Sequence, residues 1–281
     1  MPAELQFYKM TGSGNDFVML DGRTTSSADW SADRVRAACD RRLGIGADGL
    51  VILSPEGRRV RMDFWNCDGS RADMCGNAAL CSTRLAAALG IAPPSEVVLA
   101  TGAGTFPARC IPGLGEQAEL HLPDFDLPVT PPRFLARDGE SGAWLATVGV
   151  PHLVLEVADL ERLDLMERGR ALRFDAVAGP AGANVNFVAS VTGPSGRRWC
   201  LRTYERGVEG ETLACGTGAV AAAVALAGRG LAAMPVTLET RSGRPLQVRA
   251  SVSGGRATDV WLAGEGRVVF RGFLPATGGQ E

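Results

Sequence analysis

The chain has 281 residues, of which 29 are basic and 31 acidic, for a formal net charge of −2. A chain of this length buries a full hydrophobic core without disulfides or metal, and its charges form no basic stripe of the kind that nucleic acid or an anionic membrane requires. The composition therefore argues against nucleic-acid and membrane partners and favours a small-molecule substrate.

Short β-branched or alternating runs, separated by Gly, Pro and Asp, predict strands along the whole chain. They are Leu5 to Met10, Phe17 to Leu20, Leu50 to Leu53, Val60 to Trp65, Val97 to Ala100, Trp144 to Val150, Leu153 to Val157, Val185 to Ala189, Trp199 to Tyr204, Val236 to Glu239, Leu246 to Ser251 and Asp259 to Ala263. Helices are predicted at Ala32 to Arg41 behind a Ser31 cap, at Asp159 to Arg170, and in two alanine-rich segments that begin at Cys75 and Cys215.

The two alanine-rich segments, CGNAALCSTRLAAALG and CGTGAVAAAVALAG, are small-sided and carry one charged residue, Arg84. A helix that is apolar nearly all round is buried. We therefore expect an α/β (α+β) fold of two pseudo-symmetric halves, each a strongly curved mixed β-sheet or barrel wrapped around a central helix. The Pro-rich stretch from Pro123 to Pro132 predicts the boundary between the halves.

An internal repeat supports the two halves. FWNCDGSRADMCGNAAL, from Phe64, and TYERGVEGETLACGTGA, from Thr203, each place an aromatic and then a polar residue ahead of a Cys-Gly pair. GNDFV, from Gly14, has a partial echo in NVNFV, from Asn184. Duplication about a pseudo-twofold axis is the economical interpretation.

The cysteines and the N-terminal sequence indicate a reduced, cytoplasmic protein. The seven cysteines are odd in number and include no CxxC pair, so free thiols and no zinc site are expected. The N-terminal sequence lacks the basic and apolar regions of a signal peptide, and the longest apolar run, near Ala219 to Ala227, is too short to span a bilayer.

Few side chains are suited to holding a cofactor. The only lysine, Lys9, lies in a strand-like stretch and not in a phosphate-binding pocket, which argues against a pyridoxal Schiff base. The only histidines are His121 and His152, too few for a histidine-rich metal centre. The sequence predicts catalysis with no cofactor and no metal.

Cys75 and Cys215 are the predicted catalytic residues. Each begins its helix, where unpaired N–H groups and the helix dipole favour a thiolate. Inverting a carbon beside a carboxylate needs a proton removed from one face and another delivered to the opposite face, which two opposed acid/base groups provide. The remaining cysteines are expected to be buried structural residues: Cys39, Cys67, Cys81, Cys110 and Cys200.

Backbone N–H groups just after each cysteine are predicted to grip a substrate carboxylate. They belong to Gly76, Asn77, Gly216 and Thr217. His152 and Glu205 are predicted to set the thiol pKa values, because a two-thiol enzyme holds one Cys ionised and the other protonated. The structural alternatives are a core or turn role for His152 and a surface ion pair for Glu205.

Six motifs follow one another in the order of a known enzyme family: KMTGSGNDFV, GIGADG, NCDGSRADMCGN, GVPH, NVNFV and ERGVEGETLACGTG. With them the chain resembles the diaminopimelate epimerases over nearly its whole length. The resemblance implies that the C-terminal strand after Gly264 returns to the first half. Residues 1–123 with 264–281 would then carry Cys75, and residues 124–263 would carry Cys215.

The resemblance also implies the reaction, which is interconversion of LL-2,6-diaminopimelate and meso-diaminopimelate in lysine biosynthesis by the two cysteines, without a cofactor. Substrate-binding roles follow for Asn15, Asn66, Asn184, Glu205 and Arg206. The planar fork of Arg206 suits a carboxylate and Glu205 suits an ammonium group. Turn or cap duty is the structural alternative, above all for Asn15 and Asn66.

Several positions depart from the family pattern. Val150 stands where an asparagine often precedes Pro-His, and Gly49 where a glutamine can occur, so that two side chains able to hydrogen-bond a substrate are missing. CGNAAL stands where CGNGAR is frequent, and Glu209 adds a residue ahead of Gly210. These departures bear on the geometry of the pocket more than on the reaction type.

Two other functions remain open from the sequence. One is a proline or hydroxyproline racemase-like enzyme with the same two thiols. The other is a thiol redox or sensor protein in which Cys75 and Cys215 form a disulfide. The expected partner is a small-molecule amino-acid substrate, and a homodimer is the candidate assembly.

Overall fold

The computed structural model describes residues 4–132, 134–193 and 196–274. The strands in chain order are β1 (Leu5–Gly12), β2 (Asn15–Asp21), β3 (Gly49–Glu56), β4 (Arg59–Asn66), β5 (Arg71–Ala72), β6 (Val97–Thr101), β7 (Gly104–Cys110), β8 (Gln117–Leu122), β9 (Phe125–Asp126), β10 (Glu140–Val148), β11 (Val150–Val157), β12 (Asn184–Gly193), β13 (Gly196–Glu205), β14 (Gly210–Thr212), β15 (Val236–Glu239), β16 (Pro245–Ser253), β17 (Arg256–Glu265) and β18 (Arg267–Leu274). The α-helices are α1 (Ala32–Cys39), α2 (Gly76–Ala88), α3 (Leu165–Arg173) and α4 (Gly216–Gly228).

The chain divides into two compact units. One comprises the residues up to Leu120 together with those from Gly264 onward, and the other comprises His121–Ala263. We call them the first half and the second half. Within the described ranges, no helix combines the length and the apolar character needed to cross a membrane.

The first half is a mixed sheet around α2. β1 pairs antiparallel with β2 and with β18, and β2 pairs parallel with β3. β3 is antiparallel to β4, which pairs antiparallel with β5 and parallel with β6. β6, β7 and β8 continue as an antiparallel series. Helix α2 is contacted by strands from both ends of this series, namely β1, β2, β3, β4, β6 and β7.

The second half repeats this order around α4. β10 is antiparallel to β11, β11 is parallel to β12, and β12 is antiparallel to β13. β13 then pairs antiparallel with β14 and parallel with β15, and β15, β16 and β17 continue antiparallel. The predicted fold class, mixed α and β in two pseudo-symmetric halves, is confirmed.

The central helices are buried because their side chains are small and apolar. In α4 the run from Gly218 to Leu226 is buried throughout, and in α2 the run from Gly76 to Thr83 is buried with Leu85 and Ala86. Small side chains let strands approach a helix closely. At Gly12, on β1, a Cβ would come within 2.7 Å of the Asn77 carbonyl oxygen of α2.

Two helices and one strand have bounds that differ from those predicted from the sequence. Helix α1 starts behind the Ser31 cap as predicted but ends at Cys39, because the Asp40 carboxylate accepts hydrogen bonds from the next turn. Helix α3 starts behind Asp164, whose carboxylate accepts from the Glu167 N–H, and not at Asp159. The predicted strand from Trp144 to Val150 is broken by Gly149, at a φ of 70°.

The echo between GNDFV and NVNFV is not a structural equivalence. GNDFV lies at the start of β2, the first strand of the parallel pair β2–β3. NVNFV lies in β12, the second strand of the parallel pair β11–β12. The counterpart of β12 is therefore β3, and the counterpart of β2 is β11.

Candidate active site

Both predicted catalytic cysteines are N-cap residues. Cys75 has extended backbone immediately before α2, and Cys215 has the same conformation immediately before α4. Neither first helical turn contains an acidic residue, so the partial positive charge of each helix start is not offset there by its own helix. Cys75 is half-buried and Cys215 is buried. Each half thus presents one thiol at a helix start suited to an anion.

The residues after each cysteine form the first turn of the helix, as predicted. Gly76 and Asn77 open α2, and Gly216 and Thr217 open α4. The Thr217 hydroxyl oxygen lies 3.7 Å from the Cys215 Sγ. N–H groups in the first turn have no partner within their own helix, which is the physical basis for carboxylate binding at these positions.

Gly218 allows an unusually close approach in the second half. A Cβ at this position would lie 2.2 Å from the Asn186 Oδ1 and 3.2 Å from the Cys215 Sγ. The corresponding residue of α2, three positions after its cysteine, is Ala78. The glycine therefore lets a polar side chain of β12 approach the start of α4 beside the thiol.

Asn186 is the centre of a buried hydrogen-bond network. Its Nδ2 lies 3.2 Å from the His152 Nδ1 and donates to the carbonyl oxygens of Leu153 and Asn184 at 3.3 and 3.4 Å. Its Oδ1 accepts from the Thr203 hydroxyl at 3.0 Å. Asn186 and His152 are fully buried. The sequence interpretation named His152 and missed both Asn186 and Thr203.

His152 is a neutral side chain in this setting. Burial, and next the positive charge of Arg206, lower the pKa of His152 to about 3. The backbone of His152 pairs in parallel register with that of Asn184, whose Oδ1 accepts a hydrogen bond from the Arg206 backbone N–H at 2.7 Å. The second half thus groups three predicted site residues, His152, Asn184 and Arg206, close together.

The first half places apolar residues where the second half has this network. When the strand registers of the two halves are compared, Phe17 on β2 occupies the position that His152 occupies on β11. In the same way, Phe64 on β4 occupies the position that Thr203 occupies on β13. The Phe17 and Phe64 rings meet edge to face, with centroids 6.1 Å apart. The two halves therefore share a backbone plan but differ in polarity at equivalent positions.

Asn15 and Asn77 are joined to each other in the first half. The Asn77 Nδ2 donates to the Asn15 Oδ1 at 2.7 Å, and the Asn15 Nδ2 donates to the Asp48 Oδ2 at 3.0 Å. The sequence interpretation missed Asp48, although GIGADG was among the matched motifs. Its carboxylate orients the Asn15 amide and, through it, Asn77 in the first turn of α2.

A charged cluster holds Asp48 in place. Arg41 donates to both Asp48 and Asp16, at 2.6 and 2.7 Å, and the buried Lys9 ammonium donates to Asp16 at 2.6 Å. Burial by itself raises the pKa of Asp16, but the hydrogen bonds from Arg41 and Lys9 lower it to about 2. Lys9, paired with a carboxylate and with the Gly46 carbonyl oxygen, has a structural role.

Asn66 and Glu205 end equivalent strands and lead into turns. The Asn66 Nδ2 donates to the Ser70 hydroxyl at 3.0 Å. Asn66 therefore stabilises the turn, which is the structural role that the sequence left open for it. Glu205 pairs in register with Gly210, and the extra residue Glu209 is taken up in the turn between them with a φ of 54°. The insertion therefore leaves the pairing of β13 with β14 intact.

Gly49 cannot be replaced by a glutamine without movement of its neighbours. A Cβ there would lie 2.5 Å from the Trp65 carbonyl oxygen and 2.6 Å from the Phe64 ring. The Phe64 side chain thus occupies the space that a glutamine would need. Val150 opens β11 beside the turn at Gly149 and contributes no polar side chain.

The remaining cysteines do not all fit the expectation of buried structural residues. Burial raises the pKa of Cys39 to about 12 and that of Cys81 well above its ordinary value, so both thiols stay protonated. Cys110 is also buried, whereas Cys200 is half-buried. For Cys67 the expectation is wrong, because its side chain is exposed in the turn after β4.

Metal-binding clusters of three or more His, Cys, Asp or Glu side chains were not found among the residues that the structure describes. The two histidines lie in different settings. His152 is buried beside Asn186, whereas His121 stacks on Trp261, with ring centroids 4.9 Å apart.

Known structures share this fold at low sequence identity. A hydroxyproline epimerase from Agrobacterium vitis superposes with a TM-score of 0.67 at 19% identity, covering 96% of this chain and 91% of that one. A phenazine biosynthesis protein of the PhzF family from Enterococcus faecalis gives 0.69 at 16% identity, covering 97% and 99%. The architecture is therefore that of the racemase-like and PhzF-like proteins with two pseudo-symmetric halves.

Sequence similarity narrows this class to one family. The family model described as "Diaminopimelate epimerase" matches residues 7–111 and 144–257. Diaminopimelate epimerase from Gemmatimonas aurantiaca is 47% identical, covering 96% of this chain and 99% of that protein. The enzyme from Aquifex aeolicus is 38% identical, covering 96% and 98%. The chain belongs to the diaminopimelate epimerase family.

Proposed function

We propose that the protein is an isomerase that interconverts LL-2,6-diaminopimelate and meso-diaminopimelate in lysine biosynthesis, with Cys75 and Cys215 as its acid/base pair and without a cofactor. The observation that carries the proposal is the matched position of the two cysteines. Each is the N-cap of the central helix of its half, in a chain that belongs to the diaminopimelate epimerase family.

The proposed reaction needs one thiolate and one thiol. The thiolate removes the proton from the α-carbon, and the carbanion that results is stabilised as its carboxylate takes up negative charge. The opposite thiol then delivers its proton to the other face of the carbon, so the net change is inversion alone. After one turnover the protonation states of the two cysteines are exchanged.

The helix starts would hold the reacting carboxylate. The N–H groups of Gly76 and Asn77 in one half, and of Gly216 and Thr217 in the other, are suited to an anion, and their grip would strengthen as charge develops. His152 and Glu205 are proposed to tune the two thiols. Burial supports the tuning role of His152. It keeps the ring neutral, and a neutral ring with a low pKa can donate a hydrogen bond to a thiolate without taking up the proton that the thiols exchange.

Recognition of the second amino-acid centre is proposed for the polar residues beyond the helix starts. Arg206 suits the distal carboxylate and Glu205 the distal ammonium group. The side chains of Asn15, Asn66 and Asn184 would complete the set. Their contacts with Asp48, Ser70 and the Arg206 backbone fix their orientation before any substrate binds.

Exchange in heavy water tests the reaction and the substrate together. Incubation with LL-diaminopimelate should produce the meso form with deuterium at the inverted α-carbon, without any added cofactor. Deuterium incorporation into proline or hydroxyproline, but not into diaminopimelate, would instead support the proline or hydroxyproline racemase-like function.

Replacement of each thiol tests the two-base scheme. Cys75→Ala and Cys215→Ala should each abolish epimerisation, since neither thiol can serve both faces of one carbon. Cys110→Ala, which removes a buried thiol elsewhere in the first half, is the matched control and should retain activity. Full turnover in either catalytic variant would contradict the scheme. If epimerisation survived both replacements while a function that depends on a disulfide between the two cysteines was lost, the result would support the redox alternative.

A cytoplasmic homodimer is the proposed state of the enzyme. Support comes from β18, which exposes three large apolar side chains, Val269, Phe270 and Phe273, at 48, 47 and 59% of their surface. Surface of this kind favours a protein contact. Analytical ultracentrifugation should give twice the chain mass, and Phe273→Asp should shift the protein towards the monomer. A wild-type monomer at micromolar concentration would refute the dimer.

A further inference from the structure

The contacts around His152 determine which of its ring nitrogens carries the proton. The amide of Asn186 has a fixed orientation, because its nitrogen faces the carbonyl oxygens of Leu153 and Asn184 while its oxygen accepts from the Thr203 hydroxyl at 3.0 Å. A flipped amide would set its oxygen against two carbonyl oxygens and lose the hydroxyl donor.

The fixed amide places a donor group against the His152 Nδ1, at 3.2 Å. An amide nitrogen donates and does not accept, so a proton on Nδ1 would oppose another donor. Nδ1 is therefore the unprotonated nitrogen. The ring is buried and neutral, which leaves its single proton on Nε2.

The Nε2 atom itself is buried and has no hydrogen-bond partner among the described residues. A buried N–H without an acceptor is unfavourable unless an acceptor arrives with a ligand or with a change in ionisation. The Asn186 amide and the Cys215 thiol both flank Gly218, which places this network beside the start of α4.

We propose that Asn186, oriented by Thr203, is a positioning residue that holds His152 in its Nε2–H tautomer, so that the ring serves the site as a hydrogen-bond donor and not as a base. The catalytic consequence rests on the proposed function, whereas the tautomer does not. Gly218 makes room for this arrangement, since any larger residue would displace the Asn186 amide oxygen.

Nitrogen-15 NMR measures the tautomer directly. The chain has only two histidines, so correlations between ring nitrogens and ring protons can be assigned by comparison with a His121→Gln variant. The wild type should show a protonated Nε2 and an unprotonated Nδ1 for His152. A protonated Nδ1 in the wild type would overturn the proposal.

Asn186→Asp is the decisive variant, because it replaces the donor by a carboxylate of the same shape. The carboxylate should draw a proton to Nδ1, and kcat/KM should fall roughly tenfold or more, as for other residues that orient a functional ring. An Asn186→Asp protein that folds and keeps Nδ1 unprotonated would refute the positioning role.

Thr203 offers a conservative pair. Thr203→Val removes the hydroxyl that orients the amide and should populate both tautomers, whereas Thr203→Ser keeps the hydroxyl and should restore the wild-type spectrum and rate. Thr83→Val is the matched control, since it removes another buried hydroxyl whose one described partner is the Ala79 carbonyl oxygen. Equal effects of the two valine variants on the His152 spectrum would contradict the proposal.

The spectrum and the reaction separate two kinds of failure. A protein that shows the Nε2–H tautomer but does not epimerise diaminopimelate would refute the proposed function and leave the positioning role standing. An active epimerase whose His152 carries its proton on Nδ1 would refute the positioning role alone.

Discussion

Gly218→Ala and Gly228→Ala make the same chemical change in one helix and should have opposite effects on stability. At position 218 the new methyl group would lie 2.2 Å from the Asn186 Oδ1. At position 228 its nearest neighbours would be carbon atoms of Val252 and Leu127, at 3.8 and 3.9 Å, which is ordinary contact. The pair therefore separates close packing from helix propensity.

The magnitude follows from the contacts that must yield. The Asn186 amide would have to retreat by about 1 Å, which stretches its bond with Thr203 and costs about 1 kcal/mol for that bond. Overpacking adds about 1–3 kcal/mol, and the preference of alanine over glycine in a helix returns about 1 kcal/mol. Gly218→Ala should lower the free energy of unfolding by about 1–3 kcal/mol, whereas Gly228→Ala should raise it by up to about 1 kcal/mol.

Urea unfolding followed by circular dichroism measures both variants against the wild type. The midpoint should fall for Gly218→Ala and hold or rise for Gly228→Ala, with the slope unchanged. Equal midpoints for the two variants would refute the close approach of Asn186 to α4, and with it the role assigned to the glycine.

Three further outcomes are expected. Gly49→Gln should destabilise the protein by about 1–3 kcal/mol in urea unfolding, because its Cβ would meet the Phe64 ring; an unchanged midpoint would show that the ring moves aside freely. Burial and Arg206 depress the pKa of His152 to about 3, so the unfolded chain binds a proton there that the folded chain does not, and stability should be lost as the pH falls from about 6.5 towards 3. His152→Gln should lose less stability over that range, and equal pH profiles would contradict the depressed pKa. Limited iodoacetamide treatment followed by mass spectrometry should label the exposed Cys67 before the buried Cys39 and Cys81, whose raised pKa values keep them protonated, and equal labelling of the three would contradict its placement.

The fold and the position of the two cysteines at helix starts were accessible from the sequence because their signals are local. Two alanine-rich segments without charge on most faces indicate buried helices, and a Cys-Gly pair at the start of each indicates a thiol at an N-terminus. Strand periodicity predicted most of the sheet. It missed β7, where Pro107 interrupts the pattern, and β8, and it missed the strands of two or three residues, β5, β9 and β14.

The supporting residues were not accessible because they depend on strand register. Asn186 meets His152 only because β11 and β12 are parallel neighbours in one register, and Asp48 meets Asn15 only because β3 lies beside β2. The sequence did carry a signal for the first contact, a second asparagine two residues after Asn184 on a buried strand. A buried amide needs partners, and that requirement could have directed attention to it.

Duplication alone would not decide which of the two thiols is ionised. Two interacting cysteines in identical surroundings would still lose their protons in two steps, so the pair would pass through a state with one thiolate and one thiol, but either cysteine could then hold the proton. The backbone of the two halves supplies matched positions at two helix starts. The side chains then differ, with Phe17 and Phe64 in one half where His152 and Thr203 stand in the other. The fold thus makes the two cysteines equivalent in backbone position while the two halves differ in polarity, so a preference for one cysteine as the thiolate would have to come from this divergence.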